Sequence, residues 1–156
     1  MPELRLTLPT APQAASQAPA TGPAQPLCAS TDLVERGQAK LFDVLLWGQP
    51  ARAFALRFDG QVVAYINRCA HVPVELDWQP GEFLDHDKRW IVCAVHGASY
   101  EPADGRCVGG PCGRSKLLRV SVAEQGGWVS WYASNDIRPV LPAVPFAVSS
   151  DPESPP

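Results

Sequence analysis

The sequence NRCAH at residues 67–71 and the sequence CAVHG at residues 93–97 decide the interpretation of this chain. Each stretch holds one cysteine and one histidine, close enough in sequence for a single loop to direct both side chains at one point. Together, Cys69, His71, Cys93 and His96 offer two soft thiolates and two borderline imidazoles. This combination predicts a metal centre held between two loops.

Two kinds of metal centre use such ligands. A single zinc ion accepts two cysteines and two histidines in a tetrahedron, but the usual order is a cysteine pair followed by a histidine pair. Here the two residue types alternate along the chain. A 2Fe-2S cluster in which one iron takes both thiolates and the other both imidazoles explains this order better, because each loop then supplies one ligand to each iron. Zinc remains the alternative.

The two motifs resemble the signatures of the Rieske family, Cys-x-His in one loop and Cys-x-x-His in another. The resemblance extends over about residues 53–122 and includes Gly97 after the second histidine, Tyr100 beyond it, and the pair Gly110-Pro111 in a later loop. It implies an all-β fold of antiparallel sheets with a smaller cluster-binding part at one end. It also implies one Rieske-type 2Fe-2S cluster per chain, bound by Cys69, His71, Cys93 and His96.

The residues around these ligands carry further expectations from the same resemblance. Tyr100 matches a tyrosine that bonds a ligand cysteine sulfur. Gly97, Gly109 and Gly110 are expected to let the backbone approach the cluster closely.

Three positions depart from the high-potential members of the family. Val74 and Val95 stand where those proteins have a disulfide that joins the two ligand loops, and Ala98 stands where they have a serine that donates a hydrogen bond to a cluster sulfide. Hydrogen bonds to sulfur stabilise the added electron. We therefore expect a potential in the lower part of the Rieske range of roughly −150 to +300 mV.

The apolar pattern outside the motifs indicates short strands and turns. Strand-length apolar runs are separated by Asp-Gly and Gly-Gly pairs, which supply the backbone angles that tight hairpins need. The predicted strands are residues 41–46, 53–58, 62–66, 90–92, 117–122 and 128–132. Only residues 31–38 resemble a short helix.

The distribution of proline predicts the domain organisation. Most of the 17 prolines lie near the two ends, while most glycines lie between them. We expect a disordered N-terminal tail at residues 1–29, one Rieske domain at residues 30–138, and a proline-rich C-terminal tail at residues 139–156.

Charge and hydropathy restrict the partners. The chain has 13 basic and 16 acidic residues, which gives no electrostatic basis for binding nucleic acid or an anionic membrane. No run is long enough for a membrane span and no secretory signal is evident, so a cytoplasmic location is expected.

The remaining cysteines and histidine have simpler interpretations. Five cysteines cannot all pair within one chain. Cys107 and Cys112 are expected to be small buried thiols, and Cys28 to have no structural role. His86 has no neighbouring cysteine and is expected at the surface.

The acidic segment at residues 75–87 has two readings. It contains five carboxylates, together with Trp78. It could steer a basic redox partner, but charged loops are more often only solvated. Trp78 could lie at a partner interface or simply cover an apolar edge.

The function expected from these features is one-electron transfer without catalysis by the chain itself. The sequence has no nucleotide-binding loop and too few histidines for a mononuclear iron site beside the cluster. The Rieske resemblance implies a small ferredoxin that passes electrons from a flavin reductase to a terminal oxygenase. The alternatives are a zinc-stabilised or redox-sensing interaction module, or a small subunit of a larger oxidoreductase such as nitrite reductase.

Overall fold

The computed structural model describes residues 22–141. Ten strands form three antiparallel sheets. The strands are β1 (Ala24–Ala29), β2 (Lys40–Leu46), β3 (Gln49–Phe58), β4 (Gln61–Ile66), β5 (Ile91–Val92), β6 (Ser99–Tyr100), β7 (Cys107–Gly109), β8 (Ser121–Gln125), β9 (Trp128–Tyr132) and β10 (Ile137–Pro139). The prediction of an all-β fold is confirmed.

The sheets have the orders β1-β9-β8, β10-β2-β3-β4 and β5-β6-β7. The four-stranded sheet is central, and side chains from both of its faces are buried. On β3, Phe54 and Leu56 belong to one apolar core while Ala53 and Ala55 belong to another. Because side chains alternate across a strand, this pattern places a core on each side of the sheet.

The two cores have different neighbours. One contains Val129 and Trp131 of the β1-β9-β8 sheet, whereas the other contains Ile91 and Tyr100 of the small β5-β6-β7 sheet. In the second core the rings of Phe54 and Phe83 stack with their centroids 3.7 Å apart. The small sheet therefore lies at one side of the central sheet, and it carries part of the candidate site.

Two tight hairpins mark opposite ends of the central sheet. Trp47-Gly48 joins β2 to β3, and Asp59-Gly60 joins β3 to β4. Because Ala53 pairs with Ile66 at the end of β4, the Trp47 turn lies at the end of the sheet where the chain enters the first Cys-His motif.

The N-terminal part of the fold differs from the prediction. Residues 24–29, expected within a tail, form strand β1 and pair with β9. Cys28 on this strand is buried, so the expectation that it has no structural role is wrong. The expected helix at residues 31–38 is only a 3₁₀ turn at Ser30–Asp32. The rest of the predicted N-terminal tail, residues 1–21, lies outside the described residues.

Other boundaries also shift. The run at residues 117–122 becomes a strand only from Ser121, because Leu117 instead bonds through its N–H to the carbonyl of Gly105. At the C-terminal side, Pro139 still belongs to β10, and residues 142–156 of the predicted tail lie outside the described residues. Within residues 22–141 no helix is long and apolar enough to cross a membrane.

Candidate metal centre

The first ligand loop, residues 67–76, follows directly from β4. Asn67 at its start is buried, its side-chain oxygen accepts the N–H of Leu76 at 2.8 Å, and its side-chain nitrogen donates to Asp77 at 2.7 Å. These bonds join the two ends of the loop. Within the loop, the N–H of Cys69 donates to the carbonyl of Val74 at 2.8 Å. The side chain of Cys69 is thereby held inward, with 3% of the residue exposed.

The second ligand loop, residues 93–98, is the connection between β5 and β6. The N–H of Cys93 donates to the carbonyl of Ala98, and the N–H of Gly97 donates to the carbonyl of Cys93. Gly97 has φ of +72°, a left-handed angle that glycine adopts without strain. The N–H of Ala94 donates to the carbonyl of Leu76 at 2.9 Å, so the two loops are joined by a backbone bond.

The four candidate ligands form two pairs of different exposure. Cys69 and Cys93 are both buried, and each thiol shifts the pKa of the other. His71 and His96 are exposed, and their rings meet edge to face with centroids 5.2 Å apart. Across residues 22–141, no three His, Cys, Asp or Glu side chains are grouped as ligands of a single metal ion. A thiol pair beside an imidazole pair suits a dinuclear cluster in which each iron takes one pair.

Hydrogen bonds to the two sulfurs are similar but not equal. Burial alone would raise the pKa of the Cys69 thiol, but the Tyr100 hydroxyl and the amides of Val72 and His71 outweigh it, so that this pKa is lowered. Burial raises the pKa of Cys93, where the amides of Val95 and His96 only partly oppose it. Only Cys69 has the hydroxyl donor, and the interaction between the two thiols lowers the pKa of Cys69 and raises that of Cys93.

Tyr100 is positioned to donate a hydrogen bond to the sulfur of Cys69. Its oxygen lies 3.3 Å from Cys69 Sγ and accepts the N–H of Ala70 at 3.1 Å. Burial raises the pKa of Tyr100 well above its ordinary value, so the phenol stays protonated. Because the oxygen already accepts from Ala70, the hydroxyl hydrogen is available to the Cys69 sulfur.

A loop that follows β7, which we call the proline loop (residues 109–112), packs on the second ligand loop. A Cβ added to Gly110 would lie 2.8 Å from the carbonyl oxygen of Gly97 and 3.0 Å from the Cα of Ala98. Gly110 also has φ of +77°. Glycine is therefore required at this position for both space and backbone angle. Gly109 has neither constraint, since its nearest neighbour is Ser99 Cβ at 3.9 Å.

The proline loop is closed by a disulfide. Cys107 on β7 is bonded to Cys112, with the Cα atoms 5.8 Å apart. The expectation of two small thiols is therefore wrong, although Cys112 is buried as expected. Spacing in the sequence did not distinguish a buried thiol from a bonded one, because the pairing depends on the turn at Gly110-Pro111.

Comparison with known proteins identifies the family. A family model described as the Rieske [2Fe-2S] domain matches residues 24–132. The chain belongs to this family. Its cofactor is a Rieske-type 2Fe-2S cluster, and the paired side chains described above fit that cofactor. A search of curated proteins gave no match.

Solved structures from one enzyme system resemble this Rieske chain. One is a chain of a carbazole-bound oxygenase and ferredoxin complex of carbazole 1,9a-dioxygenase, with 26% identity, coverage of 72% of this chain and 29% of that chain, and a TM-score of 0.58. Another is the ferredoxin of carbazole 1,9a-dioxygenase from Nocardioides aromaticivorans IC177, with 19% identity, coverage of 71% and 98%, and a TM-score of 0.56. The terminal oxygenase of carbazole 1,9a-dioxygenase from Novosphingobium sp. KA1 has 23% identity, coverage of 85% and 36%, and a TM-score of 0.57. At the two lower identities the likeness concerns the fold alone.

The positions that depart from the high-potential Rieske pattern lie in the two ligand loops. Val74 and Val95 are exposed, at 36% and 54%, and Ala98 is fully buried. Pro111 is exposed at the tip of the proline loop. Because residue 98 is alanine, the second ligand loop has no side-chain hydroxyl donor at this position.

The remaining predicted residues are distributed around the centre. His86 is exposed, as expected, and Trp78 is 85% exposed, so its ring covers little apolar surface. Two of the five acidic side chains have structural partners. Asp77 accepts from Asn67 and from the N–H of Gly81, and Asp85 accepts from two backbone amides.

Two residues of the site were not singled out in the sequence. Asn67 lies two residues before Cys69, and its role depends on a bond across the whole loop. Trp47 precedes a glycine between two predicted strands, so its place in a turn could have been read from the pattern, but its position beside His71 could not.

Proposed function

We propose that this protein is a one-electron carrier in which Cys69 and Cys93 bind one iron of the cluster while His71 and His96 bind the other. The observation that carries the proposal is the separation of the candidate ligands into a buried thiol pair and an exposed imidazole pair. The cluster supplies reversible one-electron chemistry when bound. The chain supplies amides and a hydroxyl to the sulfurs and leaves the imidazole edge open to a partner.

The partners in this proposal are redox proteins. The structures that resemble the chain are described as ferredoxin and oxygenase components of carbazole 1,9a-dioxygenase. By analogy, the chain receives electrons from a flavin reductase and delivers them to a terminal enzyme, which is an oxygenase or a reductase. The chain performs no bond-making catalysis in this proposal.

The potential in this proposal is low for the family. Ala98 provides no hydroxyl to the cluster, and Val74 and Val95 cannot form a disulfide between the loops. Both departures remove groups that stabilise the extra negative charge of the reduced cluster. Redox titration should give a midpoint potential in the lower part of the range of roughly −150 to +300 mV. A value near the upper limit would contradict this part of the proposal.

Colour and metal content test the proposal directly. Protein purified in air should be red-brown, contain two irons and two sulfides per chain, and lose its visible absorption on addition of dithionite. Its reduced form should give an EPR signal whose average g value lies below that of all-cysteine clusters. A colourless protein with one zinc per chain would establish the zinc-stabilised module instead.

Ligand variants test the assignment of residues. His71→Ala should abolish the red-brown colour and the EPR signal, because the imidazole-bound iron loses one of its two protein ligands. Cys28→Ser is the matched control, since this cysteine is buried in the other core. The assignment is wrong if the first variant keeps the cluster or if a folded Cys28→Ser protein loses it.

A further inference from the structure

A groove of about 440 Å³ lies beside the first ligand loop. Its walls come from the loop itself, from the Trp47 turn and from residues 115–118. The side chains that give it chemical character are Trp47, Arg68, His71, Lys116 and Leu118, and none of the described residues that line it is Asp or Glu. The groove therefore combines apolar side chains with positive charge, next to one of the exposed imidazoles.

Trp47 occupies a backbone position that a tryptophan rarely takes. The turn Trp47-Gly48 has φ angles of +50° and +77°, almost the same as the +51° and +76° of Asp59-Gly60 at the other end of the sheet. Turns of this kind favour Asn, Asp or Gly at the first position, and a bulky residue at positive φ is an outlier. Asp59 follows the rule and Trp47 does not.

Burial does not explain this choice of residue. Trp47 is 59% exposed, and its indole contacts a cation, with the Arg68 guanidinium 5.7 Å from the ring centroid. Strained positions that folding does not require are concentrated at binding sites. An exposed aromatic ring on a strained turn beside an electron-transfer centre is therefore suited to contact another molecule.

The charges of the groove favour one type of molecule. Among the described residues, neither Arg68 nor Lys116 has a carboxylate within ion-pair distance, while the chain as a whole has a net charge of −3. Glu75 lines a neighbouring cavity that shares Arg68 with the groove, and it does not line the groove itself. Two cations without an ion-pair partner, in a groove that also presents apolar side chains, complement a surface that carries both carboxylates and an apolar patch.

We propose that this groove docks the redox partner of the chain, through an acidic surface with an apolar centre that packs on Trp47. The inference rests on the proposed function and identifies the face of the molecule that the partner contacts. A partner seated here lies against His71, which lines the groove. This assignment differs from one of the two interpretations of the acidic segment at residues 75–87, namely that it steers a basic partner.

An acidic flavodoxin and a basic c-type cytochrome serve as probes of the docking surface. The red-brown holoprotein should bind flavodoxin in calorimetric titrations at low salt, and more tightly than it binds the cytochrome. Replacing both cations, as Arg68→Gln with Lys116→Gln, should weaken flavodoxin binding at least tenfold and reduce its dependence on salt. Reduction of the holoprotein by flavodoxin hydroquinone, which passes one electron and becomes the semiquinone, should slow in parallel.

A control variant separates local from overall charge. Lys40→Gln with Lys88→Gln makes the same change in net charge, on exposed residues at the other end of the sheet. Lys40 pairs with Ala55 near that end. Lys88 is placed there by Arg36, which donates to the Lys88 carbonyl and to Asp59. This variant should bind flavodoxin within about twofold of the original protein. Equal losses in both double variants would contradict a local docking site.

Trp47→Asn tests whether Trp47 serves partner binding or the stability of the fold. Asparagine suits the turn, so the midpoint of urea unfolding should rise, while flavodoxin binding should weaken several-fold because the aromatic contact is lost. A fall in the unfolding midpoint would mean that Trp47 serves the fold, and would overturn its assignment.

The docking proposal and the proposed function can fail separately. Absence of the cluster colour and EPR signal would contradict the function before any binding is measured. A red-brown, reducible protein that binds the cytochrome better than flavodoxin, or binds flavodoxin without dependence on Arg68 and Lys116, would overturn the docking surface alone.

Discussion

The two ligand loops present the same pair of residue types to one centre, but they are held in different ways. The first loop is closed by the side chain of Asn67 and receives the Tyr100 hydroxyl on its cysteine. The second loop is a hairpin closed by backbone bonds, and the proline loop packs on it at Gly110. The comparison indicates a division of roles: the first loop is stabilised by side chains, and the second by close packing of backbone.

The strongest test of this division is Gly110→Ala. The added methyl would meet the backbone of Gly97 and Ala98 at a left-handed φ, so the proline loop must move away from the second ligand loop. We expect a loss of roughly 2 to 4 kcal/mol in unfolding free energy and faster bleaching of the cluster in urea.

Gly109→Ala is the matched control for the packing of the proline loop. Its added methyl would meet only Ser99 Cβ, at an ordinary contact distance of 3.9 Å, and the backbone angle is ordinary. Stability and the rate of bleaching should therefore stay near those of the original protein. If the two variants behave alike, close packing is not what holds the second loop.

The corresponding test in the first loop is Asn67→Ala. The substitution leaves the buried N–H of Leu76 without an acceptor and frees the end of the loop, which should cost about 1 to 3 kcal/mol. Urea-induced bleaching should accelerate accordingly. Asn135→Ala, at an exposed asparagine, should have no such effect. Unchanged bleaching in Asn67→Ala would show that backbone bonds alone hold this loop.

Tyr100→Phe tests how the hydroxyl donor of the first loop affects the midpoint potential of the cluster. Loss of the hydroxyl donor to Cys69 removes stabilisation of the reduced cluster, so the midpoint potential should fall by roughly 60 mV, the equivalent of about 1.4 kcal/mol for one electron. Tyr65→Phe is the control, because the Tyr65 hydroxyl donates to the carbonyl of Pro102 and not to sulfur. A potential that moves equally in both variants would assign the effect to packing.

The smallest expected effect is that of Ala98→Ser, which gives the second loop a hydroxyl. The midpoint potential should rise by some tens of mV, at most about the size of the Tyr100 effect, since a neutral donor to sulfur stabilises the added electron. Ala94→Ser, on the exposed part of the same loop, should leave the potential unchanged. A fall in potential in Ala98→Ser would contradict our account of the second loop.

The features of the fold that the sequence predicted are local ones. Alternating apolar residues and Asp-Gly pairs indicate β2 to β4 because adjacent strands and their turn are continuous in the chain. The ligand pairs were predicted for the same reason: each pair lies within one short loop. The ligand assignment itself stays a prediction.

The features that the sequence did not predict depend on distant contacts. Residues 24–29 have the composition of a loop, and they become a strand because β9 supplies the hydrogen bonds for pairing. Cys107 and Cys112 bond because the turn between them brings their backbones together. The groove requires Trp47 and Lys116, which are far apart in the chain, to line the same part of the surface.

The position of Cys28 gives the protein a built-in reporter of unfolding. This thiol is free, lies in the core opposite the candidate ligands, and has its pKa raised mainly by burial. A thiol reagent should therefore reach it only when β1 separates from β9, whereas colour follows the cluster. Loss of the cluster also frees Cys69 and Cys93 for the reagent, so the reaction of Cys28 is obtained by difference from the Cys28→Ser variant. That difference times loss of the fold, whereas loss of colour times loss of iron.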